Sequence, residues 1–255
     1  MTDPLQVSVR RIAKTPYSRI LLYPKSDEKE VLRRAKELER AGISTLQFSG
    51  STIVDGIPVL GKGCVGIVTR ATLDGCTVAV KIRRGDADRD TMLDEARKLR
   101  LANSVNVGPL LINATRNLLI MELFDGIPLY KWAEGLTDND HSRIKQVLHQ
   151  LLTDCFKLDA IGLDHGELSH APKNVLVSRE GHACIVDFES ASTTRRVANV
   201  TSLMQYFLFG EISKRIQSIT PFPRRREILT VLSRYKTEQT VESFQAILEL
   251  LNLSL

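Results

Sequence analysis

Long apolar runs are missing from this sequence, and none approaches the ~20 residues needed to cross a bilayer. The opening MTDPLQVSVR lacks the apolar core of a signal peptide. No CxxC or CxxxC spacing occurs among the four cysteines, Cys64, Cys76, Cys155 and Cys184, so neither a zinc site nor a disulfide framework is expected. Internal repeats and low-complexity tracts are also missing. These absences predict a cytoplasmic protein with reduced thiols and no membrane contact.

The composition is that of an ordinary soluble globular protein. The 255 residues are 43% hydrophobic and 25% charged, which excludes a disordered or fibrous chain. The length suits one large domain or two coupled ones, and either can bury a core.

Charge is unevenly distributed around a formal net charge of +5. Lys and Arg outnumber Asp and Glu by ten to six in residues 1–50 and by nine to five in residues 190–255. Residues 127–189 instead have ten acidic against six basic side chains. The acidic stretch suits a cation site, and the basic ends suit an acidic partner such as RNA or a ribonucleoprotein. Solvated charged faces explain the same counts, so charge alone decides nothing.

The first half of the sequence predicts a small antiparallel sheet. A helix is expected over residues 26–41, with Ser26 as its N-cap and Gly42 as its stop. Asp55-Gly56 and Asp74-Gly75 are typical of tight hairpins. Strands are predicted at 45–48, 53–54, 57–60, 67–71, 77–82, 110–114 and 118–123, with a second helix at about 90–102.

Beyond Gly126 helical patterns dominate. Residues 142–158 have the apolar stripe of a core helix. Further elements are predicted as strands at 175–177 and 183–186 and as helices at about 200–217, 226–235 and 241–251. The fold class is therefore α+β, with a sheet-rich half meeting a helical half near Phe124–Gly126. A nucleotide or another ligand would bind naturally in the cleft between two such halves.

A glycine-rich loop supplies the first chemical signal. Residues 61–68 read GKGCVGIV and fit the pattern G-x-G-x-x-G-x-V. Glycine lets backbone amides approach phosphates closely, so such a loop can cover them. A dinucleotide site is disfavoured, because that motif must open a helix and a strand is predicted here.

A lysine with a specific context supplies the second signal. Val78-Ala79-Val80-Lys81 begins twelve residues after Gly66 and fits the strand lysine of protein kinases, V-A-I-K. A lysine on a buried strand needs a carboxylate or phosphate partner, because its charge is otherwise too costly. Glu95, on the next predicted helix, is the expected partner.

With these motifs the sequence resembles the protein-kinase-like superfamily, and most of all the compact archaeal kinases related to the RIO and KEOPS-subunit kinases. Residues 165–169 read HGELS, Asn174 opens NVLV, and Asp187 opens DFE, which together resemble the H-G-D-L-S, N-I-L and D-F-G run of those kinases. The resemblance implies a bilobal fold with an antiparallel-sheet N-lobe in residues 51–124 and a reduced, mostly helical C-lobe in 125–255. Residues 1–50 would form an N-terminal extension with one helix.

The resemblance also implies residue roles, with ATP and Mg²⁺ as cofactors. Lys81 and Glu167 would be catalytic, and Asn174 and Asp187 would hold the metal. Lys173 would either touch the γ-phosphate or be solvated. The nucleotide would be bound by Gly61, Lys62, Gly63, Cys64, Val65, Gly66, Val68, Ala79, Lys81, Glu95, Met121, Glu122 and Phe124.

Three departures from the kinase pattern bear on activity. Glu167 stands where the pattern has aspartate, and Asn174 follows it by seven positions rather than five, because the segment His170-Ala171-Pro172 contains two extra residues. Glu189 replaces the glycine of D-F-G and adds an acidic group. Only 68 residues follow Asp187 and they contain no A-P-E, so we expect no large peptide-binding subdomain.

The sequence favours an atypical Ser/Thr protein kinase acting on an unknown protein substrate. A small-molecule kinase is an alternative, because D-F-E also resembles choline-kinase-like enzymes. An ATP-binding switch or ATPase is another, motivated by Glu167 and the longer loop. RNA contact through the basic ends, including Arg195-Arg196 and Arg224–Arg226, is compatible with each.

Overall fold

The computed structural model describes residues 5–170 and 173–253, and its fold class is α+β, as the sequence predicted. The chain forms two compact units. The first unit comprises the residues up to Arg100 together with Pro109–Leu123. The second unit comprises Leu101–Gly108 and the residues from Phe124 onward. None of the helices in the described ranges combines the length and apolar character needed to cross a membrane.

The first unit is built on a seven-stranded antiparallel sheet. The described residues of this unit form nine strands, seven of them in this sheet: β1 (Leu5–Ser8), β2 (Ile43–Phe48), β3 (Thr52–Val54), β4 (Ile57–Val59), β5 (Gly61–Lys62), β6 (Gly66–Leu73), β7 (Cys76–Arg83), β8 (Leu111–Ala114) and β9 (Leu118–Glu122). The sheet order is β1-β2-β6-β7-β9-β8, with β5 paired to β6, while β3 and β4 form a separate hairpin.

Both predicted Asp-Gly hairpins are confirmed. Asp55 and Gly56 have φ angles of +48° and +79°, and Asp74 and Gly75 have +48° and +80°. Positive φ at both central residues is what a two-residue turn between right-twisted strands requires. The residue pairs Val54–Ile57 and Leu73–Cys76 close these turns.

The first fifty residues contain more structure than the single expected helix. The helices are α1 (Val9–Ile12), a 3-10 helix (Pro16–Leu21) and α2 (Glu28–Arg40). Strands β1 and β2 belong to the main sheet, and their side chains join its hydrophobic core. The N-cap of α2 is Asp27 rather than Ser26, because one Asp27 oxygen accepts from the amides of Lys29 and Glu30 at 2.9 and 3.2 Å. The predicted helix near 90–102 is α3 (Leu93–Asn103).

The second unit is mostly helical. Its elements are β10 (Ile127–Pro128), α4 (Leu129–Glu134), α5 (His141–Ala160), a 3-10 helix (Leu168–His170), β11 (Val175–Val177), β12 (Ala183–Ile185), a 3-10 helix (Phe188–Ser190), α6 (Asn199–Phe209), α7 (Ser213–Ile219), α8 (Arg225–Glu238) and α9 (Val241–Leu250). The predicted apolar stripe of α5 is buried, from Ile144 to Leu152. The helix predicted over 200–217 is two helices, because α6 ends at Gly210, where a Cβ would collide with Tyr206.

A buried aspartate connects three helices of the second unit. Asp159, at the end of α5, accepts hydrogen bonds from the amide and side chain of Asn199 on α6 and from the Tyr235 hydroxyl on α8. Burial raises the pKa of Asp159 despite these bonds. Asn199 also donates to the Leu163 carbonyl and accepts from the His165 amide, both at 2.8 Å. The loop that leads into the HGELS segment is therefore fixed by the helical core.

Candidate functional site

The glycine loop lies in the first unit, between the short strand β5 and the long strand β6. The Gly63 amide donates to the Gly66 carbonyl at 2.8 Å and closes the turn. Across residues 5–170 and 173–253, the amides of Cys64 and Val65 donate to no other group. Consecutive N–H groups of this kind can bind phosphate oxygens. This part of the loop therefore fits its predicted role.

Two side chains outside the motif hold the glycine loop. Arg84 donates from Nη1 to the Gly63 carbonyl at 2.9 Å and pairs with Asp86 at 2.7 Å. Lys62 donates from Nζ to the Tyr23 hydroxyl at 2.9 Å, and its ammonium lies 4.5 Å from the centre of that ring. Neither Tyr23 nor Arg84 is predicted from the sequence, since nothing in the glycine pattern points to either.

Lys81 and Glu95 form the buried ion pair that the sequence predicted. Lys81 Nζ lies 2.9 and 3.0 Å from the two carboxylate oxygens of Glu95, and only 4% and 5% of the two side chains are exposed. Lys81 faces the glycine loop from β7: it pairs with Val68 across the ladder, and its aliphatic stem lies against Gly66. The Lys81 ammonium, paired with Glu95, therefore lies behind the glycine loop.

The other residues predicted to bind the nucleotide lie on strands β7 and β9 and at the start of the second unit. Ala79 pairs with Met121 across β7 and β9; Ala79 is buried and Met121 half-buried. The Glu122 amide donates to the Leu110 carbonyl at 2.9 Å, so that amide is occupied. Phe124 begins the second unit and is half-buried. Their role toward a base stays a prediction.

In the second unit Glu167 is held between two donors. Asn174 donates from Nδ2 to Glu167 Oε2 at 2.8 Å, and Ser190 donates from Oγ to Glu167 Oε1 at 2.5 Å. The longer spacing from Glu167 to Asn174 thus still brings the two side chains into contact. Ala171 and Pro172, in the three-residue segment that contains the two extra residues, lie outside the described residues. Ser190 was not identified from the sequence.

Asp187 follows β12 in a left-handed backbone conformation, with φ +67° and ψ +73°. Non-glycine residues seldom adopt these angles, although aspartate does so more readily than most, as at Asp55 and Asp74. The Val186 amide donates to the Asn174 carbonyl at 2.9 Å, which ties the chain before Asp187 to the Asn174 segment. A carboxylate oxygen of Asp187 and one of Glu189 lie within 4.8 Å of each other.

These oxygens fit a hard divalent cation. Because the Asn174 amide nitrogen points to Glu167, its carbonyl oxygen is turned away from that carboxylate. Amide and carboxylate oxygens, such as those of Asn174, Asp187 and Glu189, are the donor type that Mg²⁺ prefers. Lys173, next to Asn174, is exposed.

His165 contacts the segment between β12 and Asp187. The ring is fully buried, packs edge-on against Phe188 and lies 3.1 Å from the Val186 carbonyl through Nε2. A carbonyl only accepts, so Nε2 has the proton, and Nδ1 is left buried without a partner in the described structure. Burial lowers the pKa of His165, although the Val186 carbonyl and three nearby carboxylates oppose this. His165 is therefore a neutral positioning residue.

Asp164 has a structural contact rather than a free carboxylate. Arg195 donates from Nε to Asp164 Oδ2 at 2.8 Å and from Nη2 to the Ser190 carbonyl at 2.7 Å. The Ala198 amide also donates to Asp164, at 3.2 Å. Arg195, which the sequence suggested as a phosphate contact, is thus engaged next to Ser190, and Arg196 donates to the Lys236 carbonyl.

No protein-family model matches the chain, and no curated protein matches it either. The two clusters of side chains are therefore the basis for any functional conclusion.

Proposed function

We propose that the protein is an ATP- and Mg²⁺-dependent phosphotransferase of bilobal kinase-like fold that acts on Ser or Thr of a protein. The observation that carries the proposal is the buried pair of Lys81 and Glu95 behind the glycine loop. Burying two charges is expensive, and replacing such a pair by apolar residues often stabilises a protein. We take this cost as support for a role of the Lys81 ammonium in binding a ligand.

In this proposal the first unit binds the nucleotide. The amides of Cys64 and Val65 receive phosphate oxygens, and Lys81 contacts the α- and β-phosphates. Glu95 fixes the ammonium through both carboxylate oxygens, so the lysine is preorganised. Arg84 and Tyr23 hold the loop through Gly63 and Lys62.

The second unit supplies the metal ligands and the group that orients the acceptor. Asn174 and Asp187 would hold Mg²⁺, with Glu189 as a further carboxylate; the ion neutralises phosphate charge when bound. Glu167 orients the acceptor hydroxyl and takes its proton. The carboxylates of aspartate and glutamate, which differ by one methylene, can both take this role. Asn174 fixes one carboxylate oxygen of Glu167.

The experiment is transfer of radiolabelled γ-phosphate by wild type, Lys81→Met and Asp187→Asn, offered protein extract, choline and aminoglycosides as acceptors. Controls are Lys214→Met and Asp138→Asn, which change exposed residues of the same types. Label in protein that both site variants lose, and both controls keep, supports the proposal. Circular dichroism confirms that each variant is folded.

Other outcomes select the alternatives. Label in choline or an aminoglycoside would make the protein a small-molecule kinase. Release of inorganic phosphate without transfer would make it an ATPase or a nucleotide switch. Equal transfer by all five proteins would reject the assigned site. RNA contact through the basic ends stays a prediction, tested by RNA binding that weakens as salt rises.

A further inference from the structure

The Ser190 hydroxyl occupies a chemically special position. It donates a hydrogen bond to Glu167 Oε1 at 2.5 Å. Asn174 holds the other oxygen of the same carboxylate. Ser190 ends the 3-10 helix that follows Asp187, and its side chain is only half-buried. A hydroxyl of the chain itself therefore lies against the carboxylate that is assigned to orient the acceptor.

This geometry is the one that an acceptor must adopt. A general base must lie within hydrogen-bond distance of the proton that it removes. An external serine or threonine would have to place its hydroxyl where Ser190 already donates. We propose that Ser190 is an internal phosphate acceptor, and hence a modification site of this protein. This inference rests on the proposed function.

The step balances with ATP as the only co-substrate. Ser190 Oγ forms a bond to the γ-phosphorus, and the bond from that phosphorus to the oxygen bridging it to the β-phosphate breaks. ADP leaves with that bridging oxygen. The hydroxyl proton passes to the Glu167 carboxylate and then to solvent. No oxidant or reductant is needed.

The surroundings of Ser190 can accommodate the product. Arg195 Nη2 already lies 2.7 Å from the Ser190 carbonyl, so a guanidinium is at hand to pair with a phosphate. A phosphate next to the Glu167 carboxylate is repelled by it, and it can no longer donate the hydrogen bond of the free hydroxyl. We expect the phosphorylated side chain to turn from Glu167 toward Arg195.

Ser192 provides a matched control. It lies two residues further along the same segment, and its hydroxyl contacts Thr194 and the amides of Thr194 and Arg195 rather than Glu167. If accessibility of this segment alone decided modification, both serines would be labelled. If the contact with Glu167 decides it, Ser190 alone is labelled.

The test is peptide mass spectrometry of the full chain after incubation with Mg–ATP, for wild type, Ser190→Ala, Ser192→Ala and Glu167→Gln. We expect phosphate at residue 190 in wild type and Ser192→Ala, none in Ser190→Ala and far less in Glu167→Gln. The phosphorylated fraction at a given time should not change when the protein is diluted, because the acceptor belongs to the same chain. Wild type alone decides the result if a variant fails to fold.

The two proposals fail in different ways. Transfer of γ-phosphate to an added protein while Ser190 stays unmodified overturns the inference and leaves the proposed function intact. Phosphate on Ser192 or elsewhere, but not on Ser190, also overturns it. If wild type consumes no ATP and gains no phosphate, the proposed function fails and the inference fails with it.

Discussion

Gly66 lies so close to Lys81 that a Cβ at position 66 would stand 2.7 Å from Lys81 Cγ and 3.0 Å from its Cε. Real Cβ atoms essentially never come under 3.0 Å, so either the lysine stem or the loop would have to shift. Gly66 has no positive φ angle, and the need for glycine here is therefore steric. The third glycine of the loop lets the lysine stem pass behind it.

Replacing Gly66 with alanine should displace Lys81 from Glu95. Overpacking a filled site of this kind costs about 1–3 kcal/mol of folding free energy. We therefore expect a lower urea midpoint for Gly66→Ala and weaker binding of ATP. Chemical denaturation and isothermal titration with ATP measure the two effects.

Gly61→Ala is the matched control for that variant. Gly61 belongs to the same loop, also lacks a positive φ, and has no atom within 4 Å of a Cβ built on it. We expect its stability to stay close to wild type, because the added methyl group meets no neighbouring atom. Equal losses in the two variants would show that glycine freedom, rather than room for Lys81, matters in this loop.

The Lys81–Glu95 pair should show strong energetic coupling. Lys81→Met alone leaves the Glu95 carboxylate buried without its partner, and breaking such a pair costs about 3–5 kcal/mol. The double variant Lys81→Met/Glu95→Leu removes both charges, so we expect it to recover most of that loss. Urea unfolding of the two single variants and the double variant measures the coupling.

In this set of variants, recovery of stability should not be accompanied by recovery of phosphotransfer activity. The double variant should be folded yet inactive in γ-phosphate transfer, because the cation is gone. Arg97→Ala, which removes an exposed pair with Asp94 on the same helix, should change stability by less than about 1 kcal/mol. Additive losses in the double variant would contradict the coupling.

The parts of the fold that the sequence predicted are those with local signals. The Asp-Gly turns specify their hairpins through two adjacent residues, and the α5 stripe repeats over several turns. Strand β1 was missed because it has four residues with one buried side chain, and its partner β2 begins 35 residues after β1 ends. Such a pairing leaves no local trace.

In the candidate site too, the contacts with a local sequence signal were predicted and those made only through the fold were not. Lys81 and Glu95 were paired correctly because a buried lysine requires a carboxylate and the next helix offers one. Ser190 was missed because its contact with Glu167 joins residues 23 apart through the fold. Asp164, three residues before Glu167, is engaged by Arg195 and therefore offers no free carboxylate.

His165 should make stability depend on pH. Its pKa is lowered in the folded protein, so the unfolded chain binds the proton more readily. The stability that the neutral ring supports is present above pH ~6.5, the ordinary value, and is lost as pH falls through the folded pKa. Urea midpoints between pH 7.5 and pH 5 should therefore fall more in wild type than in His165→Gln.

Gln is the appropriate replacement because its amide nitrogen can still donate to the Val186 carbonyl while having no proton to gain. His182→Gln, at an exposed position, controls for the loss of a histidine as such and should keep the wild-type pH dependence. A His165→Gln protein that loses stability as steeply as wild type would rule out this role.

Glu37 should anchor the N-terminal helix α2 within the first unit. Its carboxylate accepts from the Thr115 hydroxyl at 2.5 Å and from the amide and side chain of Asn117 at 2.9 and 2.8 Å. Burial raises the pKa of Glu37, but these hydrogen bonds outweigh it and lower the pKa below its ordinary value. We expect Glu37→Gln to lose about 1–2 kcal/mol at pH 7, because an acceptor is replaced by a donor.

The pH dependence of that loss identifies its cause. A carboxyl whose folded pKa is lowered contributes stability above its unfolded pKa and loses it as pH falls through the folded value. The gap between wild type and Glu37→Gln should therefore narrow below pH ~4.5. Glu39 lies on α2 like Glu37, and Glu39→Gln removes its exposed ion pair with Arg10 of α1. This variant should cost less than about 1 kcal/mol. If the two variants lose equal stability, or if the stability gap for Glu37→Gln does not narrow in acid, α2 is not anchored by this carboxylate.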